Sequence, residues 1–151
     1  MLDLYVATFV FAGLLLAAAL IDIRTMRIPN ALNAMIALAG LFATWRLGFS
    51  MLDAVIGAAA GYAALFLLNW LYRALRGRDG LGLGDAKLLA GVGAWLGWMG
   101  LPFVVLIASA LGVAFVAALR IAGRHMSGGD ALAFGPFLCI GALIVWIVLR
   151  F

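Results

Sequence analysis

From Leu88 to Leu119 the chain runs for 32 residues without a charged side chain. As one helix, at 1.5 Å per residue, this run would extend roughly 48 Å, well beyond the ~30 Å hydrocarbon layer of a bilayer. It should therefore be two helices. The break is expected at Gly97-Trp98-Met99-Gly100-Leu101-Pro102, where glycines loosen the helix and a proline suits the first turn of the next.

Four other uncharged runs extend from Leu4 to Ile21, Ala31 to Trp45, Ala54 to Tyr72 and Ala131 to Leu149. With the long run divided, the expectation is an all-α polytopic membrane protein of about six transmembrane helices. It would form a single membrane-embedded domain over residues 1–151, with no room for a separate soluble one. Composition agrees, with 68% hydrophobic and 11% charged residues and a mean hydropathy of +1.24, far outside the usual soluble range. The amino terminus, Met1-Leu2-Asp3, lacks the basic residue of a signal peptide, and its apolar run is too long for one. It is read as the first retained span.

With six spans, the loops after the first, third and fifth share one side. They carry Arg24, Arg27, Arg73, Arg76, Arg78, Lys87, Arg120 and Arg124, against Arg46 and Arg150 opposite. Basic residues mark cytoplasmic loops, so both termini are expected outside the cytoplasm. The net charge of +4 belongs to scattered loop residues that anchor against anionic lipid, not to a nucleic-acid surface. The single cysteine, Cys139, lies in an apolar stretch, can form no disulfide within one chain and is read as a packing residue; no cysteine cluster exists to hold a metal. Gly57 and Gly61, and likewise Gly93 and Gly97, are small residues four apart, which lets helices approach closely.

All six acidic residues are aspartates: Asp3, Asp22, Asp53, Asp79, Asp85 and Asp130. Asp3 and Asp53 stand where spans begin, positions that suit an acid without further role. Asp79 belongs to the basic loop Arg76-Gly77-Arg78-Asp79-Gly80 and is left to solvated ion pairing. Asp130 follows Gly128-Gly129; capping the last helix is favoured over a place at the mouth of a site. Asp22 ends the first apolar helix, where an acid opposes the helix dipole, so a partner is required. Arg24 and Arg27 are the simplest choice. Asp85 closes Gly80-Leu81-Gly82-Leu83-Gly84-Asp85 and opens the fourth helix, either as its N-cap or as a functional carboxylate below the membrane surface.

Two carboxylates on the same side, on helices one and four, suit general acid/base chemistry if the helices bring them together. Neighbouring carboxyl groups share one proton, so a neutral acid and an ionised base coexist. One can then activate water while the other polarises a peptide carbonyl, with no cofactor or metal. The only histidine, His125, sits beside Arg124, and the three serines lie in no nucleophile motif.

Asp22-Ile23-Arg24-Thr25-Met26-Arg27-Ile28-Pro29-Asn30 and Gly82-Leu83-Gly84-Asp85-Ala86-Lys87 resemble the two signatures of the type IV prepilin peptidases, the second being the GxGD motif of intramembrane aspartic proteases. Phe134-Gly135-Pro136-Phe137-Leu138 is similar to the family's glycine-proline element opening the last helix, and Leu132-Ala133 replaces its frequent isoleucine-proline. The resemblance implies catalytic roles for Asp22 and Asp85. Gly82, Gly84 and Lys87 would shape and tune the second site, Pro29 and Asn30 would fix the turn after the first helix, and Gly135 and Pro136 would support the dyad from the last helix. It further implies prepilin-like substrates, cleavage at the cytoplasmic face of the inner membrane, and no cofactor. Without the paired cysteines of longer members, the chain resembles the short, peptidase-only branch that serves Flp or tight-adherence pili, and methyltransferase activity is not expected. The alternatives are a small proton-linked transporter or channel subunit using intramembrane aspartates, and a structural subunit whose aspartates pair with arginines.

Overall fold

The computed structural model describes residues 2–76, 82–123 and 133–151. It consists of six helices: α1 (Leu2–Thr25), α2 (Asn30–Arg46), α3 (Met51–Arg76), α4 (Leu83–Leu96), α5 (Leu101–Ile121) and α6 (Gly135–Arg150). No strand occurs among the described residues. The expected all-α architecture is present, and the division of the long apolar run falls where glycine and proline place it. Gly97 ends α4 at a φ of +72°, Gly100 precedes α5, and Pro102 sits in its first turn.

The helices fall into two kinds. α1, α3 and α5 are long and apolar enough to cross a membrane and turn large side chains outward, among them Phe9, Leu16, Leu52, Leu67, Phe103, Leu106 and Val113. An apolar exterior on this scale belongs in lipid, so the chain is a membrane protein. α4 is the opposite case. It is only 14 residues long, yet ten of them are buried, which makes it the central post that α2, α3, α5 and α6 surround.

α3 lies along α4 backbone to backbone. A Cβ built on Gly57 would run into the Gly93 carbonyl and Gly97, one on Gly61 into the Leu89 carbonyl, and one on Gly93 into Gly57. The paired small residues seen in the sequence thus form one seam. On α2, Gly40 makes room for the Trp95 indole, whose N–H donates to the Ile36 carbonyl at 2.8 Å. Thr44 donates to the Ala94 carbonyl at 3.1 Å, satisfying a hydroxyl that would otherwise be buried alone.

Asp53 does more than begin a helix: its Oδ1 accepts the Trp98 indole N–H at 3.2 Å, tying the α4–α5 turn to the start of α3. α1 reaches α4 through side chains. Phe11 stacks on Trp95 with ring centroids 4.5 Å apart, and both meet Trp146 of α6 edge-on.

Candidate active site

The buried residues of α1 are Ala7, Phe11, Leu15, Ala18 and Asp22, a stripe stepping by three and four along one helical face. Asp22 is the last member of that stripe. It is carried inward by the same helix phase that buries Phe11, and it is only 5% exposed. Asp85 is the third residue of α4, in the first turn of the central helix, and is 8% exposed. Gly82 occupies the cap position and no side chain caps the helix; the Asp85 N–H donates to the Gly82 carbonyl at 3.0 Å. Asp85 is therefore not an N-cap. Its carboxylate is free for the site because the glycine turn satisfies the backbone.

The partner of Asp22 differs from the one expected. Arg24 and Arg27 are exposed, and neither pairs with it among the described residues. Instead Gly135, the first residue of α6, donates its backbone N–H to Asp22 Oδ2 at 3.1 Å. The carboxylate that opposes the dipole at the end of α1 thus faces the positive start of α6. A Cβ at residue 135 would stand 2.6 Å from that oxygen, so the carboxylate would have to move to admit one. Pro136 follows in the first turn of α6, where its missing N–H is no loss.

Ile28 fills the space between the starts of α4 and α6. It is buried, its backbone N lies 3.6 Å from where a Cβ on Gly84 would sit, and its Cδ1 lies 3.2 Å from the corresponding point on Gly135. The chain turns inward to place it through Met26, which takes a left-handed φ of 53°, a conformation that costs a non-glycine residue about 1 kcal/mol or more. Thr25 Oγ1 braces the turn, 2.9 Å from the Ile21 carbonyl and 2.8 Å from that of Arg27. Pro29 then caps α2.

Asp22 and Asp85 lie close enough for their charges to interact, and the Cys139 thiol of α6 lies within electrostatic range of both. The helix pair carrying the dyad is joined by side chains, with α2 and α6 on either flank, rather than by the backbone contact that neighbouring helices would make. Lys87 Nζ donates to Asn30 Oδ1 at 2.7 Å, linking α4 to the start of α2.

Asn33 was not singled out in the sequence. It is 5% exposed, and its Nδ2 donates to the Gly84 carbonyl at 3.5 Å, so it touches the backbone immediately before Asp85. An asparagine inside an apolar run is its only sequence signal. Arg78, Asp79, Arg124, His125 and Asp130 lie outside the described residues.

Two buried carboxyl groups within range of each other's charge can share one proton, the starting state for general acid/base chemistry on water. Comparison with known proteins points the same way. The type IV leader peptidase family model matches residues 9–117, which include both aspartates. The chain is 46% identical over 136 residues to a prepilin leader peptidase/N-methyltransferase of Burkholderia pseudomallei, covering 89% of this chain and 44% of that protein. It is 41% identical over 144 residues to the like-named protein of Aeromonas hydrophila, covering 95% and 48%. With that of Escherichia coli it shares 37% over 139 residues, covering 91% and 61%. The chain thus spans about half the length of the curated relatives it matches. No solved structure matches it. With both aspartates inside the matched segment, and relatives alike over nine-tenths of its length, the chain belongs to the type IV leader peptidase family.

Proposed function

We propose that this protein is an intramembrane aspartic endopeptidase that removes the leader peptide of type IV prepilin-like proteins. The observation that supports the reading most is that Asp22 and Asp85, 63 positions apart in sequence, are both buried, with Ile28 standing between Gly84, which precedes Asp85, and Gly135, which bonds Asp22. The relatives' names supply the substrate class; they give the carrier alternative no support.

The chemistry follows from one shared proton. The ionised carboxylate takes a proton from a water molecule, whose oxygen attacks the scissile carbonyl carbon. The protonated partner gives its proton to the carbonyl oxygen, forming a neutral tetrahedral diol. As the C–N bond breaks, the carboxyl that gained a proton from water passes it to the leaving nitrogen, and the diol returns a hydroxyl proton to the other carboxylate. The pair ends as it began, with one proton. Gly135 holds Asp22 in place for both transfers through its N–H.

The ends of α1, α3 and α5, the start of α4 and the segments joining them to the next helix carry eight of the ten basic residues, which supports an inner-membrane orientation with the dyad facing the cytoplasm and both termini outside. That side is where a prepilin leader is displayed before assembly.

The test is co-expression with a prepilin, read as a mobility shift, alongside Asp22→Asn and Asp85→Asn, with membrane insertion followed in parallel. The intact chain should shorten the prepilin, and both inserted variants should leave it full length. Cleavage by either variant would remove that aspartate from the mechanism. An intact chain that cuts none of several prepilins would overturn the reading.

A further inference from the structure

Asn33 brings to the site a polar atom that the dyad chemistry does not use. The side chain is more than nine-tenths buried, and its Oδ1 has no hydrogen-bond partner. Turning the amide over would not help. The Gly84 carbonyl beside it can only accept, so the NH2 group must face that carbonyl and the oxygen is left as a fixed acceptor without a donor. Buried polar atoms are rarely left this way, and each exception calls for a reason.

Asn33 lines a cavity of about 300 Å³ between α2, α3 and α4, together with Asn30, Ala34, Tyr62, Lys87 and Ala90. The cavity lies on the α2–α3 side of α4, and its link to the start of that helix is Gly84, which holds the Asn33 amide and directly precedes Asp85. Ala34 and Ala90 leave width between α2 and α4, and the Lys87–Asn30 hydrogen bond forms the rim. The cavity is open along one side, and an extended chain laid in it presents backbone N–H groups along its edge, the donor that Oδ1 lacks.

We propose that Asn33 is a substrate-positioning residue: its Oδ1 accepts a main-chain N–H of the peptide segment next to the scissile bond, held extended in the α2–α3–α4 cavity. This rests on the leader-peptidase reading and adds to it the element that reads the substrate's backbone. Because the bond is to main chain, it fixes register against Asp85 without demanding a particular side chain.

The test uses the full chain in detergent micelles and a synthetic peptide spanning a prepilin cleavage site, with Asn33→Leu, which keeps volume and removes the acceptor. KM should rise about tenfold and kcat stay within about twofold, the unfolding midpoint moving by only a few degrees because losing an unpaired buried oxygen offsets losing the long bond to the Gly84 carbonyl. A peptide with an ester in place of the recognised amide should lose about tenfold with the native chain and little more with Asn33→Leu. Ala34→Leu, which fills the cavity from an exposed position, should also raise KM, and it serves if Asn33→Leu does not fold. A photo-reactive residue at position 34 should capture the peptide.

Unchanged KM in Asn33→Leu or Ala34→Leu, an Asn33→Leu defect confined to kcat with a lowered unfolding midpoint, or capture of lipid alone would overturn the proposal. Each of these can occur while the native chain still cuts the peptide, which separates failure here from failure of the peptidase reading, where the native chain does not cut at all.

Discussion

α4 meets its neighbours in two unlike ways. Towards α3 it presents glycines, and the two backbones touch through Gly57, Gly61 and Gly93. Towards α1 and α6 it presents Trp95, and contact is made by aromatic rings. In lipid, helices gain little from hiding apolar surface, so close van der Waals approach has to hold them together. The glycine seam does this and leaves no side chain free for chemistry. The aromatic seam holds less tightly, but it is where side chains can meet a substrate. One central helix thus meets α3 through backbone and α1 and α6 through side chains.

That comparison can be broken at either seam. The largest effect is expected from Gly93→Leu, because its Cβ would meet the Gly57 backbone and neither chain can yield. Overpacking commonly costs about 1–3 kcal/mol where side chains can shift, and here backbone must move, so most of the folded population should be lost. The yield and thermal unfolding of the protein in micelles would show it; a Gly93→Leu chain that melts like the native one would refute the division of labour between the seams.

Gly135→Ala should act at the other seam with the opposite signature. Displacing the Asp22 carboxylate by about an ångström should lower kcat about a hundredfold while the unfolding midpoint moves by only a few degrees, compared by single-turnover cleavage and melting of the same preparation. A large loss of stability with normal turnover would mean that Gly135 serves packing instead.

The smallest effect is expected at the rim. A double-mutant cycle of Asn30→Ala and Lys87→Met should return a coupling of no more than about 1 kcal/mol, because the 2.7 Å bond between them is exposed. A much larger coupling would move Lys87 from the rim into the reaction.

Local backbone chemistry was readable in the sequence. Gly97, Gly100 and Pro102 mark the end of α4 and the start of α5 by their own torsional preferences, which need no partner. The two motifs likewise marked Asp22 and Asp85. The facing of each helix was less legible. In a membrane bundle both the core side and the lipid side are apolar, so the phase that turns Phe11, Ala18 and Asp22 inward leaves little periodic trace. Partners distant in sequence were hidden for the same reason: the arginines beside Asp22 are near in the chain, whereas Gly135, which actually bonds it, is 113 residues away. Asn33 could have been flagged, because an amide in an apolar helix needs a partner wherever it lands.

The bond from Gly135 to Asp22 also sets a schedule. Ribosomes add about 5–20 residues per second, so the chain through Asp85 exists roughly 3–10 s before residue 135 has been made. During that interval both acids are present, but Asp22 lacks the N–H that holds it. Until α6 arrives, the carboxylate at the end of α1 has no helix start opposite it and only water or its neighbours in the chain to meet its charge.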